Sequence, residues 1–493
     1  MNDDDERLTA RPLRPPLGNT SAPRDGEPVE DEVELVLKWQ EERVKRKLAG
    51  EYESAVVRIA ELINGNLDAP GRVSSVRVQG TVHTRPGFLQ ALIAPHLGPG
   101  DTFGDALHTT RSVVAALSRT DIFSSVNPTL HQASSPLARR GDVDILLNVV
   151  ERGRLFVKTS TELGNGEGSA SAQGRMRNVF GGAETLEANV AFGTKTKHAF
   201  SATFTTPVAV ARTQMRTHAE LTAFGMHRDN EAWASSSEEL EGVRATLRHA
   251  TRLGTHEFAY ELAQRHVCGL LPSASLSIRE QARTTLKSAL SHTFVHDARV
   301  NQLGALFKVS EEFAGAALGG DAQHLKGEAS FSLARPFLPG TVLSLSARGG
   351  LLYPLSSRGS LFSDRFQLGG PLSVRSMRWN GLGPRDGPDA LGGDVYWAAG
   401  LSLMGDIPRK PHWPLKTHLF LNAGRLDAFD PARRNVADQL RETLRSPSVT
   451  AGVGVVVHYG AARAEINFGV PLVAASSDRV TKGLQVGIGL EFL

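Results

Sequence analysis

A single cysteine, Cys268, stands among 493 residues. This excludes an intramolecular disulfide and any multi-cysteine metal site. Nor is there an uninterrupted apolar run of about 18 residues, so a bundle of membrane-spanning helices is excluded although hydrophobic residues make up 40% of the chain. A membrane barrel is not excluded, because its strands alternate apolar and polar residues and dilute the hydropathy signal. The motifs of common catalytic sites are also missing: no His-Glu-x-x-His helix, no Gly-x-Ser-x-Gly elbow and no Gly-Lys-Ser/Thr phosphate loop. The sixteen histidines are scattered, and isolated ones such as His418 read as lumen or surface residues. The expectation is a non-enzymatic protein without metal or cofactor.

Charge is modest and uneven. The formal net charge is +3, yet residues 1–34 carry −6 and the remainder +9. Bases are not clustered with interleaved aromatics, so no nucleic-acid partner is expected. The opening Met1-Asn2-Asp3-Asp4-Asp5-Glu6 has neither a basic nor an apolar leader region. It is also too acidic for an Arg-rich transit peptide. Two locations fit: the cytosol, or the outer membrane of an organelle reached without a cleaved presequence.

Residues 1–32, rich in Pro, Asp, Glu and Gly, read as a disordered acidic tail. Residues 33–71 read as an amphipathic helix and linker, with Val36, Trp39, Val44, Leu48, Tyr52, Ala55, Ile59 and Leu62 at helical spacing. That helix fits either a docking element or a solvated helix packed on the next domain. Residues 72–152 run β-α-α-β-β. Strand-like alternation at Val73–Gly80 is followed by helical patterns at Phe88–Ile93 and Phe103–Leu117, then strands at Asp121–Leu130 and Val143–Val149.

From 153 to 493 short alternating segments follow one another, separated by Gly, Asn, Asp, Ser and Pro. Phe200, Ala202 and Phe204 alternate with Ser201, Thr203 and Thr205; Ala464, Ile466 and Phe468 alternate with Arg463, Glu465 and Asn467. Each segment has one apolar and one polar face. A soluble multi-sheet protein would turn the apolar face inward, a membrane barrel outward, and alternation does not distinguish them. At roughly 20 residues per strand and connection the segment holds about 16 strands, more than a single sandwich carries.

Three stretches are more specific. The first is Phe366-Gln-Leu368-Gly369-Gly370-Pro-Leu-Ser-Val374-Arg375-Ser376-Met377; the strand Phe420-Leu-Asn422-Ala-Gly424 follows downstream. The second is the C-terminal Gln485-Val-Gly487-Ile-Gly-Leu490-Glu-Phe492, a polar-x-Gly-x-x-hydrophobic-x-hydrophobic pattern. The third is Arg154-Leu-Phe156-Val-Lys158-Thr-Ser160-Thr-Glu-Leu-Gly164. Together they resemble the barrel-assembly superfamily, POTRA domains followed by an outer-membrane barrel, and most closely its mitochondrial branch in the sorting and assembly machinery (SAM/TOB complex). The Val-x-Val-x-Gly opening at 76–80 and the Ile-Phe-x-x-Val at 122–126 likewise resemble a POTRA domain.

That resemblance implies a mainly β protein: one small α+β POTRA-like domain, then a transmembrane antiparallel barrel of about 16 strands in the mitochondrial outer membrane. It implies a lumen loop carrying Leu368, Gly369, Gly370, Val374, Arg375 and Ser376, with a barrel-wall partner at Phe420, Asn422 and Gly424. The family has Asp where Asn422 stands, and Gly and an aromatic where Ser376 and Met377 stand. The expectation is therefore a loop arginine bound without full charge assistance, in a loop that turns differently. It further implies a lateral gate between a first strand (Arg154, Phe156, Lys158, Ser160, Gly164) and a last strand (Gln485, Gly487, Leu490, Phe492). The implied activity is insertion of β-barrel precursors, with further assembly-complex subunits and the lipid bilayer as partners. A protein-conducting channel of the same superfamily and a passive porin are the alternatives.

Overall fold

The computed structural model describes residues 33–48 and 60–490, apart from 135, 137, 140, 165–166, 209–216, 299–303, 372, 408–409, 411–412, 431–435 and 460–461. The acidic tail and Phe492 lie outside the described residues. The chain divides into two compact units at Arg152/Gly153. Among the described residues no helix is long and apolar enough to cross a membrane.

In the smaller unit, β1 (Val73–Gln79) is followed by helices Pro86–Ile93 and Phe103–Ser118, then β2 (Phe123–Gln132) and β3 (Val143–Glu151). β3 lies in the centre of the sheet, parallel to β1 and antiparallel to β2, which leaves β1 and β2 as edges. The second helix starts on a reciprocal cap between Thr102 and Asp105, which satisfies amide groups that a first turn leaves without partners. It buries Val113 and Leu117 in a core with Leu89, Leu92, Ile145 and Leu147. Residues 82–84 are gathered by Glu151, which accepts from their backbone N–H groups and from the Thr84 hydroxyl. Burial pushes the Glu151 carboxyl up, but these donors outweigh it and hold the group at about 2. A helix covers Val33–Leu48, and residues 60–65 are helical as well.

The larger unit is one antiparallel sheet of sixteen strands. Eleven follow one another as neighbours: β4 (Leu155–Gly164), β5 (Glu167–Arg177), β6 (Thr185–Gly193), β7 (Thr196–Pro207), β8 (Thr217–Asp229), β9 (Ser237–Ala250), β10 (Thr255–Cys268), β11 (Thr284–Asp297), β12 (Ala305–Ala314), β13 (His324–Leu338) and β14 (Thr341–Pro354). The long connection 355–394 then leaves the sheet and holds a short hairpin, β15 (Arg385–Asp386) with β16 (Asp389–Ala390). The sheet resumes with β17 (Val395–Asp406), β18 (Leu415–Asp427), β19 (Ser448–Tyr459), β20 (Ala462–Val473) and β21 (Gly483–Leu490). The expected count of strands is met. Its two ends, β4 and β21, come against one another, but among the described residues no ladder joins them.

The structure decides which face points where. Polar side chains cross-link neighbouring strands on one side: Arg175 with Glu187, Arg244 with Glu261, Lys287 with Glu312. The other side is apolar and uncovered, with Leu221, Phe258, Leu290 and Leu419 all about half exposed. The ion pairs share their side of the sheet with the residues that receive connection 355–394, so they line the interior. A soluble protein does not leave so extensive an apolar belt in water. In a bilayer this arrangement is the stable one, because the belt meets lipid and every central strand has its backbone groups paired.

Candidate functional site

The connection 355–394 enters the barrel. Bridges Phe366↔Gly393 and Leu368↔Leu382 fold it on itself. Its buried Phe366, Leu368, Val374, Met377 and Leu382 pack on Leu352, Tyr396, Ala398 and Leu426 of the wall. These wall residues give the loop an apolar seat on a face that elsewhere carries the ion pairs. Met377, in the position where an aromatic is expected, is fully buried in this cluster.

Arg375 is the loop's charged contact. Its Nε and Nη2 donate to the two carboxylate oxygens of Glu465 on β20 at 2.9 and 3.0 Å. Phe420 lies beneath the guanidinium at 5.3 Å. Asn422 Oδ1 is 3.5 Å from Nη1, while the Asn422 amide donates to the Ser373 carbonyl at 3.4 Å. The expected Asn422 contact is present at 3.5 Å; the expectation that the arginine is bound without full charge assistance is corrected. Glu465 is the principal partner and makes the contact a fork-to-fork ion pair. Both groups are buried, Glu465 completely, and Asn467 donates to the same carboxylate at 2.9 Å. Glu465 has a plain signal in the sequence, as an acid on the polar face of β20. Its register against the loop has none.

Ser376 takes a backbone conformation that a glycine would permit. Its φ is +61°, the left-handed region that glycine enters without cost and other residues enter rarely. The strained serine is held from both sides: its N–H donates to Gln485 Oε1 at 2.9 Å, and its carbonyl accepts from Thr481 N–H at 2.9 Å. Gln485 also donates to the Met377 carbonyl at 2.9 Å, so the last strand grips the loop directly. The hydroxyl of Ser376 occupies the space over Gly469, where a Cβ would lie 2.0 Å from Oγ and 3.0 Å from Phe420 Cζ. Gly469→Ala should therefore overpack the site by about 1–3 kcal/mol. Combining it with Ser376→Gly should relieve most of that loss. Urea midpoints of the four proteins in detergent, read by gel mobility without boiling, test this coupling.

The loop is also tied to the connection preceding β21, through Arg378 N–H to the Arg479 carbonyl (2.9 Å) and Arg479 N–H to the Gly381 carbonyl (2.8 Å). Gly383 N–H adds a bond to Asp478 at 3.1 Å. A second charged anchor, not expected from the sequence, lies near the start of the loop. Asp364 accepts from both Nη atoms of Arg265 on β10, at 2.6 and 3.1 Å. Around it His324 meets Glu312 at 2.8 Å, Lys287 meets Glu312 at 2.8 Å, and Lys326 donates to the Asp364 carbonyl at 2.7 Å. Glu312, His324 and Asp364 are close enough to share a metal ion. Each carboxylate already faces a cationic side chain, so the cluster is a satisfied ion network and repels a further cation. The loop thus crosses the lumen between an acid-to-wall anchor on β10 and a base-to-wall anchor on β20.

The other expected residues fall as follows. Gly369 and Gly370 both have positive φ, and a Cβ on Gly424 would reach Val374 at 3.1 Å. Arg154 precedes β4 and donates to the Val179 carbonyl at 3.0 Å. Phe156 packs under Arg177, and Ser160 exchanges a hydroxyl hydrogen bond with Ser171 at 2.7 Å. Lys158 and Gly164 lie in β4; Gln485, Gly487 and Leu490 lie in β21.

The profile of the Omp85 superfamily domain matches residues 178–492, most of the barrel unit. The chain belongs to the Omp85 superfamily. Among relatives of this Omp85 protein, a SAM50-like protein of Schizosaccharomyces pombe is 33% identical over 458 residues, covering 90% of this chain and 95% of its own. The sorting and assembly machinery component 50 homolog of Xenopus tropicalis is 33% identical, covering 76% and 81%. A BamA of Haemophilus ducreyi lacking POTRA domains 1–3 superposes with a TM-score of 0.70 at 15% identity, covering 85% of each chain. At that identity the likeness speaks for the fold.

Proposed function

We propose that this Omp85 protein is an insertase that folds β-barrel precursors into the mitochondrial outer membrane, where it resides as a multi-pass barrel. One observation carries the mechanism: the sheet's two end strands, β4 and β21, meet without a ladder among the described residues. An unpaired strand edge is a template for another strand. In lipid, where no water competes for backbone groups, exchanging strand partners is the favoured way to satisfy them. A client's terminal strand adds to the β4 edge while β21 is displaced.

The loop gives the gate a defined inner support. Gln485 on β21 holds Ser376 and Met377, and Arg375 of the same loop holds Glu465 on the neighbouring β20. Displacement of β21 therefore loads contacts that lead back to the loop. A loop crossing the lumen from β10 to β20 also speaks against an open porin. The small unit, with its β-α-α-β-β order and sheet edges at β1 and β2, is a POTRA-type domain on this reading. It receives client chains by strand addition, and the sorting and assembly relatives support further complex subunits as partners.

Vesicles containing the purified full chain test the proposal. An insertase integrates an added unfolded barrel protein into a protease-protected, heat-modifiable form. A translocation channel instead delivers an unfolded soluble chain into the lumen, and that outcome would overturn the reading.

A further inference from the structure

The outer wall carries a feature that the gate does not use. Glu312 of β12 points inward to Lys287 and His324, so its neighbour Glu311 points outward, between Val309 and Phe313 on the lipid side. Glu311 is exposed, and among the described residues no hydrogen bond or ion pair reaches its carboxylate. The paired residues Phe313, Leu325 and Tyr353 lie nearer the end of the barrel, which puts the carboxylate inside the apolar band. An acid there is costly and marks a functional position by default.

Its surroundings form a groove. On one side the ladder partner is Gly327, where a Cβ would meet nothing within 4 Å. On the other it is His292, whose ring turns to β10, stacking on Phe258 at 4.6 Å and bonding His256 at 3.2 Å. Two cavities of about 1140 and 480 Å³ open on this wall and share Glu311, Gly327 and Leu351. The smaller is bounded by Leu440 and Leu444 of the helix Val436–Arg445. That helix is held to the wall by Trp397 Nε1 donating to the Thr443 carbonyl at 3.0 Å.

We propose that this groove seats one transmembrane helix of a partner protein, presenting a lysine or arginine to Glu311. Both edges of β12 are already paired, so no strand can add here and the occupant must bring its own satisfied backbone, as a helix does. The bare surface at Gly327 allows a helix to approach closely, as small residues do in membrane interfaces. Charge selects a cation: acyl chains offer Glu311 nothing, and a second copy meeting groove to groove would set two carboxylates together in an apolar interface.

The test uses the full chain in phosphatidylcholine nanodiscs and synthetic Leu/Ala membrane-spanning peptides with a lysine, leucine or glutamate at one position, moved turn by turn. Binding is read by fluorescence transfer. At its best position the lysine helix should bind about tenfold more tightly than the leucine helix, and the glutamate helix most weakly. Glu311→Gln should erase the lysine preference, and Gly327→Leu should weaken all three peptides. Each variant is first shown to keep heat-modifiable gel mobility. Equal binding of lysine and leucine helices, or a preference that survives Glu311→Gln, overturns the proposal. So does a preference that vanishes when phosphatidylethanolamine replaces phosphatidylcholine, because an amine headgroup is then the occupant. No client protein takes part, so this outcome is separable from that of the insertase assay.

Discussion

Arg375→Ala is expected to release the lumen loop and to cost about 3–5 kcal/mol, the range for breaking a buried ion pair by removing one partner. The size follows from what remains. Glu465 is completely buried, and the amide of Asn467 at 2.9 Å does not replace the charge and the two-pronged contact that the guanidinium supplies. Glu465→Ala should be comparably damaging because it takes the two-pronged carboxylate from a buried guanidinium. Asn422→Ala should cost less, about 1–2 kcal/mol, the scale of neutral hydrogen bonds, since its contacts to Arg375 and to the Ser373 carbonyl are long, 3.5 and 3.4 Å. Arg375→Lys keeps the charge but loses the two-pronged fit and should fall between these. Urea midpoints of the barrel in detergent give the ranking, and protease accessibility of residues 365–380 reports the loop itself. If Asn422→Ala proves as harmful as Glu465→Ala, the ion pair is not the main anchor. Insertion of a client barrel should fall in the same order.

Locking the seam is expected to abolish insertion while leaving the barrel folded. With Cys268 replaced by serine, cysteines are placed pairwise along positions 155–161 of β4 and 484–488 of β21. Pairs that close a disulfide tie together two strands that no ladder joins among the described residues. Oxidised protein should stop integrating client barrels, and reduction should restore integration to the unlocked level. Heat-modifiable mobility should be unchanged in both states, which separates a blocked gate from a damaged fold. Should oxidised protein insert clients at the rate of reduced protein, strand exchange at this seam is not the mechanism.

The contacts behind these two predictions differ in how far the chain announces them. Arg375 is conspicuous, one base in a glycine-rich stretch, and Gln485 is conspicuous as the polar start of an alternating C-terminal segment. Glu465 looks like any acid on a wet strand face. Asp364 and Arg265 are 99 positions apart, and nothing in their local pattern pairs them. Ser376 is a different case. The absence of glycine suggested another turn, yet the backbone still takes φ +61°, because Gln485, Thr481 and the gap over Gly469 together hold it there.

Period-two alternation and turn residues by themselves determined that residues 153–493 form many short two-faced strands, because successive side chains on a strand point to opposite faces. The shortage of cysteine and of long apolar runs determined equally that neither disulfides nor spanning helices organise the chain. Tertiary structure alone decided that the apolar faces turn outward, that Glu465 joins Asn422 at Arg375 and supplies the charge, and that Glu311 stands within the apolar band. The physical reason is common to all three. Facing and pairing depend on the register in which distant strands and the lumen loop come together, and register is a property of closure that no local pattern carries.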